Sequence, residues 1–267
     1  MIANLLVPMA AGRACEVSFD QALDLADRLR ARLVLVATAS AAPREDLGVE
    51  MPGMSPSPIE RAVPEESLWP VPGEGTAEIP DYAVNAAFRC QELRIGCLLR
   101  VVYGRLAQQA REVSHLCDLA VLPRPTSAAI MTMREAVWLA TSARCPCLFT
   151  ALDPLEPRRT VAWYDGKPAS ARSLRYAAEL VALLNLRLTT LISAPTRGRA
   201  HELGHEAEII ASGYHIEHTT QVLVGAKLAQ LSGVADEASA HIVVAPAVRA
   251  FAASALQRSS IMTLVVP

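Results

Sequence analysis

The chain repeats itself. The stretch NLLVPMAAGRACEVSFDQALDLADRLRARLVLVATA, beginning at Asn4, lies over RTVAWYDGKPASARSLRYAAELVALLNLRLTTLISA, beginning at Arg159, with no gap. The offset is 155 residues, from Asn4 to Arg159. Identities fall at Ala14/Ala169, Ser18/Ser173, Ala22/Ala177 and Leu25/Leu180. A spacing of four, four and three places them on one face of a helix, and small residues there let the helix lie close on a sheet. Each copy therefore reads strand, turn, helix, strand. A chain built this way folds the same unit twice.

The remainder of each copy continues the alternation. In the first, CLLRVVYG reads as a strand ending at Gly104, RLAQQAREVSHL as a helix, DLAVLP as a strand, MREAVWLATSA as a helix and PCLFT as a closing strand. In the second, HTTQVLVG ends at Gly225, KLAQLSGVADEASA is helical, HIVVAP is a strand, VRAFAASALQ a helix and IMTLVVP the last strand. Near-continuous apolar strands alternating with helices predict parallel sheets covered on both faces. The fold class is α/β, with domain one over residues 1–152, a linker at 153–159 and domain two over 160–267.

One stretch breaks the symmetry. Residues 40–80 hold eight of the 18 prolines, and eight acids against two arginines. So many prolines exclude a regular element. The insertion is either a disordered acidic loop or an ordered flap anchored by Leu68, Trp69 and Val71, and the burial Trp69 seeks favours the flap. A flap following the second strand is placed to cap the copy-one pocket.

Composition removes several function classes. The chain is 52% hydrophobic but only 4% aromatic, so its core is aliphatic. A net charge of −2 argues against a general nucleic-acid binder. No uncharged apolar run is long enough to span a membrane, and no Lys or Arg precedes the apolar opening as in a secretory signal, so a cytoplasmic location is expected. Six cysteines without a C-x-x-C pair read as buried free thiols.

Two tandem units of this pattern, with the strand–Asp-Gly–helix opening at Val161–Gly166, resemble the universal stress protein family. VVYGRLAQQAREVSHLCDLAVLP resembles its third strand, third helix and fourth strand, and ARCPCLF resembles its closing strand. The resemblance implies two doubly wound, Rossmann-like, five-stranded parallel sheets of strand order 3-2-1-4-5. It also implies pairing through the edges of the last strands. That pairing joins either the two copies of one chain or two chains in a homodimer; the apolar edges at 147–150 and 261–266 invite it.

Many proteins of that family bind ATP, through an Asp ending the first strand and a glycine-rich segment after the fourth. Glycines let backbone N–H groups approach phosphates at a helix N-terminus. Copy one has Ala10 in place of the Asp, and PRPTSAAIMTMRE after its fourth strand, with no glycine and with Met133-Arg134 at the expected Gly-[S/T]. Copy two keeps Asp165-Gly166, but its fourth strand runs into APAVRAFAASALQRSS, a shortened loop again without glycine. Proline removes a donor and each Cβ blocks close approach. Neither copy is expected to cradle ATP in the family manner.

Three further constellations carry chemistry. The chain's two lysines, Lys167 and Lys227, both fall at strand-to-helix turns of copy two. A cation at a helix N-terminus opposes the dipole unless an anion offsets it, so Asp165, Gly166, Lys167 and Lys227 are the candidate cofactor-binding residues for a nucleotide, ATP or AMP, or another anion. Exposed, solvated lysines are the plainer reading. HELGH, residues 201–205, matches the zinc-binding H-E-x-x-H helix, with His201 and His205 as ligands and Glu202 as base. Glu208 and Gly204 depart from the zinc-protease pattern, and a solvated His/Glu face on an outer helix is the plainer reading. Cys145 and Cys147 share a strand face but are expected in the core, inert. Asp118 reads as a helix-to-strand turn residue.

The leading reading is a non-catalytic, stress-responsive regulatory protein with no predicted cofactor, acting through protein contacts or an undetermined small ligand. The alternatives are a nucleotide- or anion-responsive switch in copy two and a zinc hydrolase at HELGH.

Overall fold

A computed structural model describes residues 2–38, 79–102, 104–125, 131–152, 156–248, 256 and 261–267. The insertion from 40 to 78, the linker residues 153–155 and most of the expected VRAFAASALQ helix lie outside the described residues; Leu256 of that segment is helical and buried.

The repeat offset is carried into the backbone. β1 (Asn4–Met9), α1 (Arg13–Leu29) and β2 (Arg32–Thr38) form the opening of the first half. After α2 (Asp81–Glu92) come β3 (Cys97–Val102), α3 (Leu106–Val113), β4 (Leu119–Leu122), α4 (Met133–Ser142) and β5 (Cys147–Phe149). The second half opens with β6 (Arg159–Tyr164), α5 (Pro168–Leu184) and β7 (Arg187–Ala194). It continues with α6 (Arg197–Ser212), β8 (Glu217–Val224), α7 (Leu231–Glu237), β9 (Ile242–Pro246) and β10 (Met262–Val266). The first helices of the two halves are each 17 residues long and close on left-handed caps at matching positions, Arg30 and Asn185. Ser18, Ser173, Ala22 and Ala177 of the small-residue stripe are fully buried. Side chains no larger than a methyl or a hydroxymethyl let α1 and α5 settle close onto their strands.

Several expected elements have other bounds than their sequence runs suggest. β3 stops at Val102 and β8 at Val224, each short of its glycine. KLAQLSGVADEASA is not one helix: a 3-10 turn (Leu228–Gln230) leads into α7, which ends at Glu237 before Ser239 turns left-handed.

All ten strands form one sheet, in the order β3-β2-β1-β4-β5-β10-β9-β6-β7-β8. Each half has the order 3-2-1-4-5 and is parallel throughout. The halves meet where β5 runs antiparallel to β10, Leu148 opposite Leu264. Of the two pairings the sequence left open, the structure has the one inside the chain, and the closing edges are used up; the interchain pairing of closing strands is not the arrangement found. One face is covered by a continuous apolar cluster that reaches across both halves, including Leu25 of α1, Ala86 of α2, Leu180 of α5 and Leu203 of α6. The other face has two clusters, one around Leu139 of α4 that also takes in Leu256 and Val265 of β10, and one around Leu231 of α7.

Arg124, two residues past β4, joins the halves. It is 2% exposed, and its guanidinium donates to the Thr150 carbonyl (3.1 Å), the Ile261 carbonyl and Thr263 Oγ1 (3.4 Å). Asp118 fills its expected turn role, its Oδ2 accepting the N–H groups of Ala3 and Asn4 at 2.8 and 2.9 Å. Tyr176 of α5 reaches across to donate to the Asp118 carbonyl at 2.7 Å.

Candidate functional site

In an open α/β sheet the ligand end lies beyond the carboxyl ends of the strands, where connections leave to opposite faces. In the second half β6 is flanked by β7 and β9; α5, which follows β6, packs on one face of the sheet, and α7, which precedes β9, on the other. A cleft of about 700 Å³ opens there. Asp165, Lys167 and Ser170 line it from the end of β6, Ser193 from β7, and Gly225 and Lys227 from beyond β8. Three of the four candidate residues, Asp165, Lys167 and Lys227, thus share one cavity although 62 positions separate the first from the last.

The Asp165 carboxylate is satisfied within the chain. Oδ2 takes the Lys167 ammonium at 2.6 Å, and Oδ1 takes the Ser170 hydroxyl at 2.7 Å and the Lys167 N–H at 3.2 Å. Burial alone would raise this carboxyl, and the hydrogen bonds from Lys167 and Ser170 outweigh it, holding it below the ordinary carboxylate range. Lys167 is the residue that caps α5, and Pro168 starts the helix with its ring, needing no donor there. The dipole conflict expected of Lys167 is therefore answered by Asp165, without an external anion. Lys227 is exposed, and its N–H donates to Gln230 Oε1 at 2.8 Å ahead of the 3-10 turn.

Gly166 has a different task. Its φ is +76°, and a Cβ placed on it would stand 2.6 Å from Leu203 Cδ2. The turn is tight because α6 presses on it, so Gly166 serves packing against a helix rather than an approach to phosphate.

Leu203 is the central residue of HELGH, which lies on α6. It is buried while His201, Glu202 and His205 are exposed. Glu202 pairs with Arg199 at 2.6 Å, and His205 Nδ1 is 3.9 Å from Glu208. One turn on, Glu206 accepts the Tyr164 hydroxyl at 2.7 Å, tying α6 to the end of β6. Burial, and then the Glu206 carboxylate, push the Tyr164 phenol up to about 12. Among the described residues no three His, Cys, Asp or Glu side chains gather as metal ligands. Of HELGH, Leu203 is the residue that packs on the turn.

In the first half the place of Asp165 is taken by Ala10 at the end of β1. The N-terminus of α4 carries a capping box: Glu135 N–H donates to Thr132 Oγ1 at 3.2 Å, and Thr132 N–H donates to Glu135 Oε2 at 2.9 Å. A protein carboxylate thus already sits where an anion would use the helix dipole. Met133 and Arg134 are the first residues of that helix. The expected acidic flap over this pocket lies outside the described residues. Cys145 and Cys147 are both buried, and burial pushes Cys145 up to about 12, so neither offers a thiolate.

Sequence reasoning missed Ser170, Tyr164, Glu206 and Arg124. Ser170 had a local signal, a hydroxyl in the first turn after Asp-Gly-Lys-Pro. Partners 42 or 137 residues away left none.

No family model matches the sequence, and no curated protein matches it. Solved structures do. A universal stress protein from Archaeoglobus fulgidus DSM 4304 is 12% identical, covers 98% of this chain and 95% of its own, and superposes with a TM-score of 0.64. A functionally unknown protein, PA1789 from Pseudomonas aeruginosa PAO1, is 14% identical over 99% of this chain and 92% of its own, with a TM-score of 0.67. At such identities the likeness is one of fold, and it extends over both halves. No helix among the described residues is long and apolar enough to cross a membrane.

Proposed function

We propose that this chain, which carries the fold of tandem universal stress proteins, is a non-catalytic regulatory binding protein of the cytoplasm whose ligand contacts fall in the second-half cleft and which does not hold ATP in the family manner. One observation carries the reading: the only site aspartate the chain retains, Asp165, is saturated by Lys167 and Ser170. A nucleotide seeking that carboxylate competes with a 2.6 Å ion pair. The sequence past β9 supplies no glycine between Pro246 and Ser260 to repay it with backbone donors.

Calorimetric titration with ATP, ADP and AMP tests this. The expected result for ATP is a dissociation constant no tighter than about 1 mM, equivalent to roughly −4 kcal/mol. Micromolar ATP binding that is lost in Asp165→Ala would overturn the reading.

A second reading has its own support: Lys167 and Lys227 line the same 700 Å³ cleft. An anion small enough to need no glycine cradle could draw Lys167 from Asp165 and use both ammonium groups. Pyrophosphate binding that disappears in the Lys167→Gln, Lys227→Gln double variant would establish this switch in place of the first reading.

A further inference from the structure

A second hollow lies away from the strand ends, at the join of the two halves. It has a volume of about 280 Å³ and runs between α1 and α5 over the β5–β10 seam. Its walls and floor are aliphatic: Leu25, Leu180 and Leu184 from the helices, Leu148, Ile242 and Met262 from the strands. All six belong to the buried cluster that spans the halves. Protein interiors leave few voids larger than a water molecule, and apolar cavities of about half this size hold benzene-sized guests.

One polar group breaks the apolar lining. Gln21 of α1 borders the hollow and is nine-tenths buried. Its Nε2 donates to the Ala151 carbonyl across a long 3.4 Å, and its Oε1 has no hydrogen-bond partner. A buried acceptor without a donor is costly, and the terminal torsion of a glutamine amide is soft enough to turn toward one. The mouth is bordered by Asp20, Asp24, Glu156 and Arg28, which pairs with Asp24 at 3.1 Å and stands 3.8 Å from Glu156, itself 3.4 Å from Arg158. Asp20 is held by Arg89 at 2.8 Å. Each acid of the rim thus has an arginine partner, and a mouth of so little net charge admits a neutral solute.

We propose that this hollow is a binding site for a small, largely apolar molecule carrying one N–H donor, which enters past the ion-paired rim, lies against the aliphatic walls and gives its hydrogen bond to Gln21 Oε1 once the amide turns toward it. The site is distinct from the strand-end cleft. Its walls come from both halves, so a guest contacts the first and the second copy at once.

Indole, an apolar ring with one N–H, and N-methylindole, the same ring without it, are the probes. Methionine methyl resonances of the full chain, labelled with carbon-13 and with Met262 assigned through Met262→Leu, report occupancy. The expected result is a shift of the Met262 methyl with indole, little change in the other six methionines, and about tenfold weaker binding of N-methylindole. Gln21→Leu removes the orphaned acceptor, should fold at least as well, and is expected to bind the two probes equally. Silence of Met262 up to the solubility of indole overturns the proposal, as a chamber holding ordered water only. Equal affinity for the two probes in the native chain, or a probe preference that survives Gln21→Leu, also overturns it.

Discussion

The ammonium of Lys167 lies 2.6 Å from the carboxylate of Asp165, two residues earlier, and shares that carboxylate with Ser170 in the first turn of α5. The residue that would advertise a ligand site is therefore closed by its own neighbour. Lys167 is 77% exposed and Asp165 only 21%, so water screens one side of the pair and the protein the other.

Replacing Lys167 with Met should cost about 0.2–1 kcal/mol at neutral pH, the range for pairs with one solvated partner. Since the folded carboxyl lies below its ordinary 3.8, the stabilisation is complete above that value and is lost as pH falls through the folded value. The native and variant denaturation curves should thus converge in acid. A difference that grows as pH falls below 3.8 would contradict the assignment.

Gly166→Ala places a methyl at a left-handed φ and against buried Leu203. Backbone strain and overpacking together predict a loss of about 2–4 kcal/mol by urea denaturation. Leu203→Ala alone should cost about 2–5 kcal/mol, and the double variant less than the sum, because the truncated side chain makes room for the methyl. Additive losses would show that the two residues do not press on one another.

Arg124→Leu should cost about 2–4 kcal/mol, because the Thr150 and Ile261 carbonyls lose their donor in a buried seam. Lysine should recover only part, having no planar fork to serve both carbonyls. Hydrogen exchange adds a spatial check: Leu148 and Leu264 amides at the seam should open sooner than Leu6 in β1. Uniform acceleration would place Arg124's role elsewhere.

Much of the scaffold could be read from residue order, for a local reason. A strand, a turn and a helix are each specified by neighbours within a few positions, so the repeat predicted β1–α1–β2 and β6–α5–β7 at their observed offset. The strand order came from the family resemblance rather than from periodicity. The helix in KLAQLSGVADEASA was overextended, because small apolar residues satisfy a helical pattern while Ser239 turns left-handed and ends it.

The site was less legible. Lys167 could be marked as a cation at a helix start, but the neutralising geometry of Asp165 depends on side-chain torsions that no spacing encodes. HELGH matched a metal motif through its histidines, whereas its structural work is done by Leu203 and by Glu206 just past it. What distinguishes those roles is the presence of the 163–166 turn beneath the helix, a contact made across some 40 residues of chain.

Because β5 and β10 run in opposite senses, the strand tips of one copy point north where those of the other point south. The second-half cleft and its counterpart therefore open at opposite poles, separated by the height of the strands, on the order of 20 Å for five or six residues. No metabolite-sized molecule can bridge them. A macromolecule gripping both would have to straddle the slab from pole to pole, and a solute lodged at either end would touch one hemisphere alone.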